Sequence, residues 1–251
     1  MKEYGLGPNG AIVTALNLFA TQFDSVVNFI DQKAKGKREK DDEEGEMLTS
    51  CFSDIEFCLM DTPGQIEVFT WSASGTIITD SLAVSFPTCV LYVLDATRCS
   101  SPATFMSNML YACSILYKTR LPFVLAFNKC DAASAALPME WMKDFDVLHD
   151  ALAAEEGYMS NLVRSMSLVL QGFYETLTCV ACSALTGENV DAVIAAIEGT
   201  REEYIKDYLG PLQQRMQKRE QEKEQNVERA NDDDDDDDDD ERNEWDDENE
   251  E

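Results

Sequence analysis

Leu121-Pro-Phe-Val-Leu-Ala-Phe127-Asn-Lys-Cys-Asp131 passes from an unbroken apolar run straight into a polar quartet. The run is too short for a helix and shows no apolar–polar alternation. It reads as a strand over Pro122–Phe127 that is buried on both faces. The same composition recurs in Ile55–Met60, Cys89–Leu94 and Leu177–Cys182. Helical patterns lie between these runs: Glu67–Ser85, Ala103–Lys118 and a pair from Glu140 to Thr176. Strands alternating with helices predict an α/β fold, a parallel sheet flanked by helices. Such sheets place ligands beyond the carboxyl ends of their strands. Two polar stretches fall at those ends, Asp61-Thr-Pro-Gly64 and Asn128-Lys-Cys-Asp131.

Outward from the strands, Gly10–Ile30 carries apolar residues at 12, 16, 19, 23, 26 and 30, the spacing of one helix face. Residues 33–46 are a charge run, read as a solvated loop. Helix is expected again from Val190 to about Arg229, with Val190, Val193, Ile194 and Ile197 on one face and a break or kink at Gly210-Pro211. These features divide the chain into a domain over 1–209, a charged helical extension over 210–231 and an acidic tail over 232–251. The tail is too poor in apolar residues to order itself and is expected to be disordered.

The 251 residues carry a formal charge of −29, of which −15 belongs to 232–251, leaving −14 elsewhere. So acidic a surface repels phosphate backbones, and direct nucleic-acid binding is not expected. No basic start followed by an apolar run lies near Met1, and no apolar stretch is long enough to span a bilayer, so neither a secretory signal nor a membrane role is expected. Of the eight cysteines, Cys179 and Cys182 alone have redox or zinc spacing. With no second pair, and His149 the sole histidine, they read as buried thiols.

Asp61 follows an apolar strand pattern. A carboxylate there is suited to holding Mg²⁺ beside the phosphates of a nucleotide. Gly64 has no Cβ to keep its N–H from a γ-phosphate; Gln65 and Glu67, next in line, could orient an attacking water. Asn128-Lys129-Cys130-Asp131 is more specific. Guanine presents two adjacent N–H donors, and one fixed carboxylate, Asp131, accepts both. Adenine would leave that carboxylate unpaired. Lys129 would lay its stem along the base, and Asn128 would tie loops together. Ser183 and Ala184 end the last strand, where backbone N–H groups can meet the guanine carbonyl. Taken together these residues read as a GTP site. Gly5-Leu-Gly-Pro-Asn-Gly10, by spacing alone, reads as a turn that starts a helix.

The assembled stretches resemble the GPN-loop GTPases, in particular their RNA polymerase II-associated branch. The likeness runs from Tyr4 to about Tyr208 and is carried by Tyr4-Gly-Leu-Gly-Pro-Asn-Gly10, by Asp61-Thr-Pro-Gly-Gln-Ile-Glu67 with Phe69-Thr-Trp-Ser-Ala-Ser-Gly75, and by Thr104-Phe-Met-Ser-Asn-Met-Leu-Tyr-Ala-Cys113. The resemblance implies a P-loop NTPase-type sheet and a homodimer, or a heterodimer with a paralogue. In it Gly7 and Pro8 shape a loop that brings Asn9 to the phosphates of the other subunit. It also implies GTP hydrolysis with Mg²⁺, coupled to assembly and nuclear import of RNA polymerase II through contact with polymerase subunits or assembly factors, in a cytoplasmic protein that shuttles to the nucleus. Family members carry a first strand and a Gly-x-x-x-x-Gly-Lys-[Ser/Thr] phosphate loop ahead of the Gly-Pro-Asn turn. Neither occurs here, so an N-terminally truncated fold with a weakened phosphate grip is expected. The competing expectation is a non-enzymatic interaction protein that binds partners through its helices and acidic tail.

Overall fold

The computed structural model describes residues 7–34, 56–154, 174, 177–215 and 217–218. Three strands form its sheet, β1 (Val90–Asp95), β2 (Phe123–Asn128) and β3 (Thr178–Ala181), in the order β1-β2-β3. Both pairings are parallel, with Val90 opposite Phe123 through to Asp95 opposite Asn128, and Val124 opposite Thr178 through to Phe127 opposite Ala181. The strand expectations at 89–94, 122–127 and 177–182 thus hold to within a residue or two. Burial on both faces holds only for the central β2, whose residues 123–127 are all buried. The outer strands have one ladder neighbour each among the described residues, and Val93 of β1 is 56% exposed.

The pleat of β2 divides the core. Phe123, Leu125 and Phe127 face one way and join Leu94, Trp141, Leu148 and the buried stripe Phe105, Met106, Met109, Ala112 and Ile115. That stripe belongs to α5 (Pro102–Thr119), which starts where Ser101 accepts a bond from the Thr104 N–H and Pro102 fixes the first turn. It stops at Arg120, whose φ is 54°. Ala126 faces the other way, with Cys182 and Val193. Val193 comes from α8 (Val190–Gly199), on whose predicted apolar face Val190 and Ile194 stay 39% and 38% exposed. Before β3 lie α6 (Ala136–Lys143) and α7 (Phe145–Ala154). Most of the second helix expected there falls outside the described residues, as do most of the 33–46 loop and all of the 232–251 tail.

Four expectations are corrected. Ile55–Met60 was expected as a buried strand, but residues 56–60 carry no strand pairing, and Phe57 and Leu59 are 40% and 82% exposed. An apolar run becomes a strand only where a neighbour supplies a ladder, and residues 56–60 pair with none of the described strands. The single helix expected over Gly10–Ile30 is two, α1 (Pro8–Thr21) and α2 (Phe23–Ala34), bent by 60° at Gln22. The bend lets Leu16 and Phe23 both reach Ile78 of α4 (Ala73–Ser85). The pattern over Glu67–Ser85 likewise divides into α3 (Ile66–Thr70) and α4, because Ser72 caps α4 by accepting from the Gly75 N–H at 2.9 Å. The backbone stays helical through Gly210-Pro211, following a π-helical stretch over Tyr204–Leu209.

By internal contacts the chain divides into Met1–Tyr204 and Ile205–Glu251. No single helix among the described residues is long and apolar enough to cross a membrane.

Candidate functional site

Asn128 closes β2, and its side chain ties two loops together. Its Oδ1 accepts from the Lys129 N–H at 2.8 Å and from the Ala184 N–H at 2.9 Å. Lys129 then enters the left-handed region, φ 68°, at a cost of about 1 kcal/mol for a residue with a Cβ. The twist brings the Cys130 N–H to the Cys182 carbonyl at 3.1 Å, prolonging the β2–β3 ladder past the last paired residues. Asp131 follows at the surface, where its Oδ1 accepts from the Ser183 hydroxyl at 2.5 Å. Ser183 is fully buried, and its Oγ also accepts from the Thr186 N–H at 3.2 Å. One oxygen of Asp131 is therefore fixed from behind while the carboxylate faces solvent.

β1 adds a residue that the sequence reading passed over. Asp95 stands opposite Asn128 in the parallel register. Its Oδ2 meets Lys129 Nζ at 2.7 Å, and its Oδ1 accepts from Thr97 Oγ1 at 2.6 Å and the Thr97 N–H at 3.0 Å. The Lys129 ammonium, and after it the Thr97 hydroxyl, hold the Asp95 carboxyl down at about 2. The available signal was its place: Asp95 ends an apolar run just as Asp61 ends Ile55–Met60. Asp95, Asn128, Lys129, Asp131, Ser183 and Ala184 thus gather at the carboxyl ends of three adjacent strands, where an α/β sheet holds ligands.

The other predicted residues lie on the α1–α3 side. Gly7 is the N-cap of α1 with Pro8 in its first turn, so the Gly-Pro-Asn stretch is a helix start, as its spacing alone suggested. Asn9 Oδ1 accepts from Gln65 Nε2 at 2.9 Å, joining two predicted site residues 56 positions apart. Gln65 Oε1 is buried without a partner. Gly64 has open space where a Cβ would stand, and Glu67 lies exposed in the first turn of α3. Asp61 is exposed and borders an open apolar hollow of about 470 Å³ with Leu16, Met60 and Phe69. No group of three His, Cys, Asp or Glu able to hold a metal forms among the described residues. One carboxylate is what Mg²⁺ asks of a protein when nucleotide phosphates and water supply its other ligands, and Asp61 meets that minimum. Burial pushes the thiols of Cys179 and Cys182 up from their ordinary range.

A protein-family model described as a conserved hypothetical ATP binding protein matches residues 1–203. GPN-loop GTPase QQT2 of Arabidopsis thaliana is 50% identical over 215 residues, which are 86% of this chain and 52% of that protein. GPN-loop GTPase 1 of Dictyostelium discoideum is 48% identical, covering 85% of this chain and 50% of its own. The GPN-loop GTPase 1 of Saccharomyces cerevisiae is 47% identical, covering 83% and 52%. The chain belongs to the GPN-loop GTPase family. It spans about half the length of the curated relatives it matches. Among solved structures, a GTPase in apo form from Pyrococcus abyssi superimposes with a TM-score of 0.57 at 21% identity, covering 82% of this chain and 73% of that one. That likeness establishes the P-loop NTPase-type fold. In this GPN-loop member the Gly7-Pro8-Asn9 turn is therefore docked, within its own chain, against Gln65.

Proposed function

We propose that this chain carries the guanine-reading part of a GTP-binding, GTP-hydrolysing enzyme. The observation that supports it best is Asp131, exposed at the strand ends and held through Oδ1 by buried Ser183. A preset carboxylate matches the paired N–H donors of guanine and leaves adenine with a mismatched lone pair. This favours GTP over the ATP named in the family model's description. Lys129 lays its stem along the base, and the Ala184 N–H, given to Asn128 Oδ1, fixes the loop that would meet the guanine carbonyl.

Around the phosphates, Asp61 would hold Mg²⁺, which supplies neutralising charge to the β- and γ-phosphates. Gly64 leaves room for the γ-phosphate beside its N–H. Gln65 and Glu67 orient the attacking water, and Asn9 with Gly7 and Pro8 completes the phosphate side of a partner subunit, a second copy or a paralogue. The cellular role proposed is assembly and nuclear import of RNA polymerase II, by a cytoplasmic protein that shuttles to the nucleus and contacts polymerase subunits or assembly factors rather than nucleic acid or membrane. This rests on the family and on the RNA polymerase II-associated branch that the sequence resembles.

The test is titration of the chain with GDP and ADP up to millimolar concentration, followed by release of phosphate from GTP. Preference for GDP is expected. Equal affinity for the two nucleotides would remove Asp131 from the role given to it. Binding without turnover would favour the interaction-protein reading.

A further inference from the structure

Lys129 bends through the left-handed region and projects a long, 57% exposed side chain. A free lysine at the surface samples many rotamers, and holding one costs side-chain entropy. Yet the stem must lie in one place if it is to cover a base. In the structure that place is set from the neighbouring strand. Asp95 meets Nζ at 2.7 Å and is itself fixed by two bonds from Thr97. The parallel register that puts Asp95 opposite Asn128 brings the anchor to Lys129 from a different strand. The Ala96 N–H bond to the Asn128 carbonyl at 2.9 Å clamps the two strand ends beside it.

We infer that Asp95 is a positioning residue for base recognition, acting through Lys129, so that the end of β1 completes a guanine site built mainly on β2 and β3. The inference rests on the base-reading role proposed above. Asp95 touches no base; it restricts Lys129 to the arrangement in which the stem covers one, and nucleotide then binds without ordering that side chain first. Asp95→Asn isolates this effect, because an amide oxygen still accepts both bonds from Thr97 while its Nδ2 offers Lys129 nothing to pair with.

Two measurements decide it. Amide hydrogen exchange in the free chain compares wild type with Asp95→Asn at Lys129, Cys130 and Ala184, with Val124 and Leu125 as fold controls. Faster exchange at the first three and unchanged controls are expected; unchanged exchange at all five overturns the anchor. Dissociation constants for GDP are then compared for wild type, Asp95→Asn, Lys129→Met and the double variant. A half-exposed pair of this kind supports a roughly two- to fivefold rise for Asp95→Asn, and no further rise on top of Lys129→Met. Additive losses would show that Asp95 acts without Lys129 and overturn the inference. If wild type binds no GDP, the base-reading role fails, and the exchange result still decides whether Asp95 anchors Lys129.

Discussion

Asp95 and Asp131 close neighbouring strand regions with the same side chain and are set up for different tasks. Asp95 is spent on Lys129 and Thr97, which bring its pKa from 3.8 to about 2. A carboxylate with a depressed folded-state pKa stabilises the fold fully above its unfolded value and loses that contribution as pH falls through the folded one. The melting temperature of wild type should therefore exceed that of Asp95→Asn by a constant, small margin from neutral pH down to about 4, and the margin should vanish toward about pH 2. Thermal scans of both across that range check it, and an undiminished margin at the acid end would mean that another group is responsible. Asp131 keeps its carboxylate toward solvent, so its chemistry is that of an acceptor. Asp131→Asn exchanges one acceptor oxygen for a donor, which guanine's N–H groups cannot use and xanthine's C2 carbonyl can. GDP should weaken by roughly 10²-fold while xanthosine diphosphate gains, measured by competition. Most of this site could be read in the sequence because Asn128 and Ser183 each directly follow an apolar run. Asp95 also ends an apolar run, but its pairing with Lys129 could not be read there, since that partner is 34 residues away and only the 95–128 register brings them together.

At the level of elements, hydrophobic runs located strands well where a neighbour existed and poorly where none did. β2 was evident because both its faces are covered. Leu125 is fully buried in the main cluster, so Leu125→Ala should cost about 2–5 kcal/mol, read from denaturant unfolding. The run Ile55–Met60 is also mostly apolar, yet its residues 56–60 pair with no strand among the described residues, and composition cannot report whether a partner strand is present. Helix spacing found the faces only in part, since Phe19, Val190 and Ile194 stay exposed, and it missed the breaks, because Gln22 and Ser72 interrupt the backbone without interrupting the apolar pattern. The break at Ser72 depends on a close approach. A Cβ at Gly75 would lie 1.9 Å from the Phe69 carbonyl oxygen, which is backbone and cannot swing aside. Gly75→Ala should therefore push α3 from α4 and destabilise by about 1–3 kcal/mol. It should also disturb the Lys118 ammonium, which donates to the Thr70 carbonyl and lies 4.9 Å from the Trp71 ring centroid. Unchanged stability together with unchanged Trp71 fluorescence would show that the junction yields without cost.

For the whole molecule, two features oppose each other. The helices and turns preceding β1 leave large apolar side chains in solvent, among them Leu18 at 65%, Phe29 at 58%, Trp71 at 56% and Ile77 at 52% exposed. Exposure of this kind favours burial against a partner. The chain also carries a charge of −29, which makes two copies repel. The proposed dimer and the alternative, capture of a basic partner by the acidic residues, respond to salt in opposite directions. Raising salt from about 0.05 M to about 0.5 M shortens the screening length from about 14 Å to about 4 Å. That removes repulsion between copies and leaves apolar burial intact, so dimerisation should strengthen. Contact between acidic residues and a basic protein should weaken under the same change. Sedimentation of the chain alone at the two salt concentrations reads the first effect, and Leu18→Asp combined with Phe29→Asp should abolish it without altering helix content by circular dichroism. A dimer that persists in that variant would place the interface away from α1 and α2. A chain that stays monomeric at both concentrations would leave Asn9 to act only within its own subunit, on Gln65.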